Sequence, residues 1–397
     1  MKQDKPKTIL GGRYQLLHVT GKGGMAVVWR AVARDPDGDH LVAIKRMLYD
    51  ITRDASTVAL FIEEARVGSQ LSHPNIVQVL DFGTDDHGSY YLVLEWVEGL
   101  DMLEYMRSFH QAGVHVPWQA AAAIGLQALR GLAAAHERLD LNGKLKPVIH
   151  RDLSPSNILV GIDGVVKLAD FGLARAMDRM TMTMPNIIKG KLAYTAPEVA
   201  QGLKATPRSD LFSLGVTLWE CLAARRMFPG ESNVDVFRAM QAWKIPDLQK
   251  LRPDVPPELV TAIGHCIARE PSKRYSAARE VAAALAAVMR SVRPPVDARR
   301  LGASVVSARE RLETLDQDIA VMIEDSSKEA IEVAVDIPVV FASSPSVTRV
   351  GSRKDMDATS PGFGIDEEMP TIPKFRRASS PKTAVPKSRS TKAPRSR

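Results

Sequence analysis

His150-Arg151-Asp152, then Asn157, then Asp170-Phe171-Gly172 place two aspartates and an asparagine within about twenty positions. An Asp can take the proton of an attacking hydroxyl, and an Asn with a second Asp can hold a divalent cation, so this order and spacing point to phosphoryl transfer. Upstream, Lys45 ends the apolar run Val42-Ala43-Ile44, where an ammonium could offset phosphate charge. Each acid taken singly reads as a loop residue or a cap. Their joint appearance does not.

A further segment fits phosphate. Gly21-Lys22-Gly23-Gly24-Met25-Ala26-Val27-Val28 lies between two strand-like runs, where small residues let a backbone close over phosphates. By itself such a segment reads equally well as a plain β-turn.

Together these motifs resemble the eukaryotic-like (Hanks-type) serine/threonine protein kinases of bacteria, in particular the soluble myxobacterial type. The resemblance implies an α+β, two-lobed protein kinase fold over residues 13–292: an N-lobe at 13–97 with a small antiparallel sheet and one helix, and a mainly helical C-lobe at 98–292. ATP would lie in the cleft, with the hinge near Glu95 to Val97. Magnesium is the implied metal, with manganese as the alternative. Protein substrates are the implied partners, the chain itself in trans among them.

Residue by residue, the resemblance makes Asp152 the proton acceptor and gives the metal to Asn157 and Asp170. Lys45 would touch the α and β phosphates while paired with Glu64, since the family carries its Glu before Ala; Glu63 is the competitor and reads as a solvated face residue. Gly21, Lys22, Gly23, Gly24, Met25 and Ala26 would cover the phosphates, with Ala26 in place of the third glycine. Val28 and Ala43 would pack on the adenine, and Glu95, Val97 and Leu159 complete the nucleotide contacts. His150 and Phe171 are structural. Glu198, in Ala196-Pro197-Glu198, would bridge to Arg274, and Asp210 would accept from the catalytic-loop backbone. Arg151 beside Asp152 suggests control by a phosphate on the activation segment, at Thr181 or Thr183.

Two departures stand out. The family's Lys two residues after the catalytic Asp is Ser154 here, and its Thr after the activation-segment glycine is Lys191. Losing a cation near the γ-phosphate would slow transfer, and Lys191 is the residue that could restore charge. A pseudokinase or nucleotide-binding scaffold is the alternative function, yet it would need loss of Lys45, Asp152 or Asp170, and all are present. A small-molecule kinase is disfavoured by the intact Ala196-Pro197-Glu198 region.

The elements that must position these groups are legible in outline. Strand-like runs occupy Tyr14-Leu17, Val27-Trp29, Leu41-Ile44 and Tyr91-Leu94, with a helix over Thr57 to Leu71. Helical patterns follow around Trp118 to Arg138, Asp210 to Ala224, Pro257 to Ala268 and Ala277 to Met289.

With 397 residues, 45% apolar and 25% charged, the chain can build a sizeable core. Cys221 and Cys266 sit in apolar stretches and read as reduced core thiols. No apolar run reaches a membrane span and the polar start carries no secretory pattern, so a cytoplasmic protein is expected. The net charge of +7 is modest. Residues 293–397 read as a Ser/Pro-rich, mostly disordered tail with one short helix at 305–323. Its end, Lys374 to Arg397, carries nine Lys and Arg and no acid. Nucleic acid or an anionic surface is a disfavoured partner for that run, since no aromatic residue beyond Phe375 accompanies it. Ser379 and Thr371 are candidate phosphosites there.

Overall fold

The computed structural model describes residues 4–49, 54–140, 142–171 and 191–314. Alternation of core-facing and outward residues gives the N-terminal strands one common buried face. β1 (Ile9–Leu10), β2 (Tyr14–Lys22), β3 (Ala26–Ala33), β4 (His40–Met47), β5 (Val79–Thr84) and β6 (Tyr90–Glu95) form an antiparallel sheet in the order β1-β2-β3-β4-β6-β5. Its core packs Tyr14, Leu16, Trp29, Ala31, Val42, Ile44, Tyr91 and Val93. Between β4 and β5 runs α1 (Ala55–Gly68), started by Asp54, whose carboxylate accepts the Ser56 N–H at 3.1 Å. Phe61, Glu64 and Ala65 lie on its buried side.

After β6 the chain enters a second, three-stranded sheet: β7 (Gly99–Asp101), β8 (Ile158–Gly161) and β9 (Val166–Leu168). Helices build the rest. α2 (Met102–Gln111) opens on an Asp101/Glu104 capping box. α3 (Trp118–His136), α4 (Pro197–Ala200), α5 (Pro207–Ala223), α6 (Asn233–Ala242), α7 (Leu248–Leu251), α8 (Pro257–Cys266) and α9 (Ala278–Met289) follow. α5 is buried from Ser209 to Ala223, its polar residues included. Packing is close enough that a Cβ on Gly215 would come within 2.7 Å of the Cys266 Cβ. Cys221 and Cys266 are buried free thiols, each pushed up to about 12 by burial. None of the described helices is long and apolar enough to cross a membrane.

The expected boundary at 292 and the expected helix at 305–323 need correction. The chain turns back after Pro294-Pro295 and forms α10 over residues 298–314. Leu301, Val305 and Ala308 belong to the same hydrophobic core as α3 and α5, and Leu312 is also buried. The spacing of these four residues makes one apolar stripe. The contact is intimate, because a Cβ on Gly302 would lie 2.1 Å from the Ile162 carbonyl oxygen. Around the stripe, Ser304 Oγ meets Tyr105 Oη at 2.7 Å and the Arg311 guanidinium lies 4.6 Å over the Phe109 ring. Thus the fold continues through 314. The rest of the expected helix, Thr371, Ser379 and the basic run lie outside the described residues.

Leu301→Ala should lower unfolding free energy in a denaturant titration by about 2–5 kcal/mol, the usual range for a buried Leu. Val306→Ala, on the 40% exposed side of the helix, should change it by less than about 0.5 kcal/mol. Equal, negligible effects would mean that α10 does not pack on the core in solution.

Candidate functional site

β4 delivers Lys45 into the interior, in register with Val28 on one side and Leu92 on the other. A buried ammonium requires partners, and it has two: Glu64 Oε1 of α1 at 2.7 Å and Asp170 Oδ1 at 2.8 Å. Burial alone would lower the Lys45 pKa, but the fields of Asp170 and Glu64 raise it above its ordinary value. Burial raises Glu64, pushing it to about 7 against the pull of Lys45. Asp170 moves the other way: burial opposes its charge, but Lys45, with Lys191 beyond it, holds it below the usual carboxylate range. Of the two neighbouring acids, Glu64 is thus the one brought to Lys45, while Glu63 pairs with Arg66 at 2.6 Å.

The loop carrying Asp152 hangs on Asp210. Its buried carboxylate accepts the backbone N–H of His150 at 2.8 Å and of Arg151 at 2.9 Å, and bonds His136 Nε2 at 2.8 Å. Arg151 adopts φ +69° and Asp170 φ +60°, uncommon for residues with a side chain and requiring support from their surroundings. Asn157 Nδ2 donates to the Asp152 carbonyl at 2.7 Å and to Asp152 Oδ2 at 3.1 Å. The ammonium of Lys191 also contacts Asp152 Oδ2. Ser154, by contrast, is buried and its hydroxyl lies 3.2 Å from that of Ser156.

Above this floor lies the β2–β3 hairpin. Gly23 N–H donates to the Ala26 carbonyl at 2.8 Å, Lys22, Gly23 and Gly24 are exposed, and Gly21 and Met25 half-buried. A Cβ on Gly24 would meet nothing within 4 Å, so the tip is open and its backbone uncovered. Val28, Val97 and Leu159 are half-buried and Ala43 buried. Glu95 is occupied by its own lobe-to-lobe contacts: Oε1 accepts the Gln78 N–H and the Lys167 ammonium, both at 2.8 Å.

The end of the segment returning to the site is fixed by two buried polar anchors. Arg274 grips Glu198 through two hydrogen bonds of 2.7 and 2.8 Å and also donates to the Ala268 carbonyl at 2.7 Å. The second anchor was not foreseen: Tyr194 Oη donates to Glu220 Oε2 at 2.7 Å, and Ser213 Oγ donates to the Tyr194 carbonyl at 2.7 Å. Glu220 inside the apolar run of α5 was the available signal, since a buried carboxylate must have a partner. Thr181 and Thr183 lie outside the described residues.

The sequence pattern described as the protein kinase domain matches residues 14–285. Similar curated proteins include the tyrosine-protein kinase MasK of Myxococcus xanthus, 38% identical over 275 residues, covering 69% of this chain and 42% of that protein. Another is the serine/threonine-protein kinase PrkC of Bacillus subtilis, 36% identical over 276 residues, 69% and 40% covered. A third is the serine/threonine-protein kinase PknA of Mycobacterium tuberculosis, 34% identical over 290 residues, 72% and 63% covered. The chain spans about two fifths of the length of the first two. Among solved structures, the PknI kinase domain of Mycobacterium tuberculosis aligns with a TM-score of 0.54 at 23% identity, covering 72% of this chain and 99% of that domain.

Close by, the fully buried His150 ring lies 4.5 Å from the Phe171 ring, centroid to centroid. Burial lowers its pKa despite nearby Asp210 and Asp152. Below the unfolded value of about 6.5 the unfolded chain therefore binds a proton that the folded one refuses. The resulting stability is present above that pH and is lost as pH falls. His150→Phe should remove this component, of up to about 1.4 kcal/mol per pH unit. Denaturant unfolding between pH about 7 and 5 would reveal it, and parallel curves for both proteins would exclude it.

Proposed function

The chain belongs to the protein kinase family, and from that premise we propose that it transfers the γ-phosphate of ATP to Ser or Thr hydroxyls of proteins in bacterial signalling. The observation that carries this reading is the convergence of Lys45, Glu64 and Asp170, with the Asp152–Asn157 pair contributed by the neighbouring loop.

In this reading the hairpin from Gly21 to Ala26, exposed at Lys22, Gly23 and Gly24, closes over the phosphates, and Val28, Ala43, Val97 and Leu159 provide apolar walls for the adenine. The hinge backbone at Glu95 and Val97 meets the adenine edge. Lys45, kept charged by its two carboxylates, lies against the α and β phosphates. Asp170 and Asn157 are the residues that would hold a divalent cation, which we take to be magnesium. One carboxylate and one amide suit magnesium, which one or two carboxylates bind together with substrate phosphates. The bound ion would neutralise charge on those phosphates. Asn157 fits, because its amide nitrogen donates to Asp152 and an amide oxygen is a hard ligand that would suit the cation.

Asp152 orients the acceptor hydroxyl and takes its proton. The acceptor oxygen bonds to phosphorus as the bond to the ADP oxygen breaks, and ADP departs with both electrons of that bond. Arg151 next to Asp152 supports control through a phosphate at Thr181 or Thr183, added by a second copy acting in trans. The cytoplasm is the proposed compartment, supported by the free thiols of Cys221 and Cys266.

The test is transfer of labelled phosphate from magnesium-ATP to the full chain and to a generic basic protein, followed by identification of the phosphorylated amino acids. Asp152→Ala should cut the rate by about 10²–10⁴-fold, the range for a lost general base. Label should appear on Ser and Thr. Phosphotyrosine instead would move this chain toward the activity by which its relative MasK is named. A folded, nucleotide-binding wild type that transfers nothing would make it a pseudokinase.

A further inference from the structure

We infer that Lys191 is the cation that stabilises the phosphoryl group in flight, a role that the loop following Asp152 does not fill in this chain. The inference rests on the kinase reading above and assigns a further catalytic residue within it.

Its basis is the arrangement around Asp152. Two residues after that aspartate, Ser154 brings a short neutral side chain that is buried and turned to Ser156. No charge reaches the reaction centre from there. From the opposite side, thirty-nine positions along the chain, the Lys191 ammonium meets Asp152 Oδ2, the carboxylate oxygen that Asn157 also contacts. The cation thus sits beside the carboxylate that would receive the hydroxyl proton.

The placement is built rather than incidental. Lys191 opens the short 3₁₀ turn Leu192–Tyr194, closed by the Tyr194 N–H donating to the Lys191 carbonyl at 3.1 Å. Tyr194 is buried and tied to Glu220 and Ser213 of α5, so the backbone that carries Lys191 is fixed to the rigid centre of the large lobe. The lysine side chain remains about one-third exposed, at 31%, against 13% for Asp152. An ammonium has three donors on a flexible stem. One faces Asp152, and the others can reach a phosphoryl oxygen that arrives between them.

In a loose transition state negative charge spreads over the equatorial oxygens of the moving phosphoryl group, and a preorganised cation there acts on the rate more than on substrate binding.

The test uses the full chain as wild type, Lys191→Ala, Lys191→Gln as the near-isosteric neutral form, and the double variant Lys191→Ala/Ser154→Lys. Kinetics should show kcat lowered about 10²–10³-fold in both neutral variants, as for loss of one transition-state donor, with the KM for ATP within about threefold. Calorimetric binding provides a readout independent of turnover. Magnesium-ADP should bind all proteins equally, whereas magnesium-ADP with aluminium fluoride, a mimic of the moving phosphoryl group, should bind the neutral variants at least about tenfold more weakly. Ser154→Lys should recover about tenfold or more of kcat and of the fluoride-complex affinity. Wild-type kcat in the neutral variants overturns the inference. So does equal weakening of both nucleotide complexes, which would mark Lys191 as structural. If wild type transfers no phosphate at all, the kinase reading falls, and the fluoride comparison still decides whether Lys191 contacts the γ position.

Discussion

The ammonium of Lys45 is the constraint around which this protein is arranged. A charge held away from water costs several kcal/mol unless oppositely charged groups surround it, and here they come from three separate stretches of chain. β4 supplies the lysine, α1 supplies Glu64, and the turn after β9 supplies Asp170. The helix must therefore lie on the sheet at one height, and Asp170 must enter from the other lobe. Raised affinity for the proton at Lys45 and lowered affinity at Asp170 are two sides of that requirement. A cluster that keeps one cation and one anion charged at the mouth of a cleft is also what nucleotide phosphates and a metal need.

α5 performs the corresponding task in the large lobe. Asp210, Ser213, Thr217 and Glu220 recur at three- and four-residue spacing and so share one face of the helix. Each uses its polarity on a main chain or a phenol: Asp210 holds the loop before Asp152, Ser213 and Glu220 hold Tyr194, and Thr217 bonds back to the Ser213 carbonyl. The apolar faces of α5 anchor it in the core, and the polar stripe carries the two segments that meet over Asp152. The buried Glu198–Arg274 pair adds a third tie to the same region. Such pairs contribute little net stability against apolar replacements of equal shape, but they fix geometry, because removing one partner strands the other.

The candidate site was legible in the sequence because the phosphoryl transfer proposed for it would need particular residue types in a particular order. Lys45, Asp152, Asn157 and Asp170 could be picked out before any element was drawn, and the choice of Glu64 over Glu63 agrees with the contact seen at Lys45. What stayed hidden depends on contacts distant in sequence. β5 runs through Gly83 with no clean alternation, and the short β7–β9 sheet is too brief for periodicity to register. The Tyr194–Glu220 anchor joins residues twenty-six apart, and although Glu220 in an apolar run signals a partner, no local pattern says which residue it is. Helix α10 begins earlier than its sequence pattern suggests: the Pro294-Pro295 pair looks like an exit from the fold when tertiary burial is unknown.

That helix changes how the connection between the lobes should be viewed. Glu98 lies in the short link between β6 and β7, where it accepts from Trp96 Nε1 at 2.7 Å and pairs with Arg30 of β3 at 3.2 Å and with Arg309 of α10 at 2.6 Å. These side chains are between about a quarter and two fifths exposed, so each pair adds only about 0–1 kcal/mol. The apolar stripe of Leu301, Val305, Ala308 and Leu312 must then supply the attachment, and the ion pairs set its register against the link. Since the kinase-domain match ends at residue 285 and α10 begins at 298, the link between the lobes is buttressed by chain that lies outside the family's own pattern. Through the Arg309–Glu98 pair, α10 therefore touches the link by which the chain passes from the first sheet to the second.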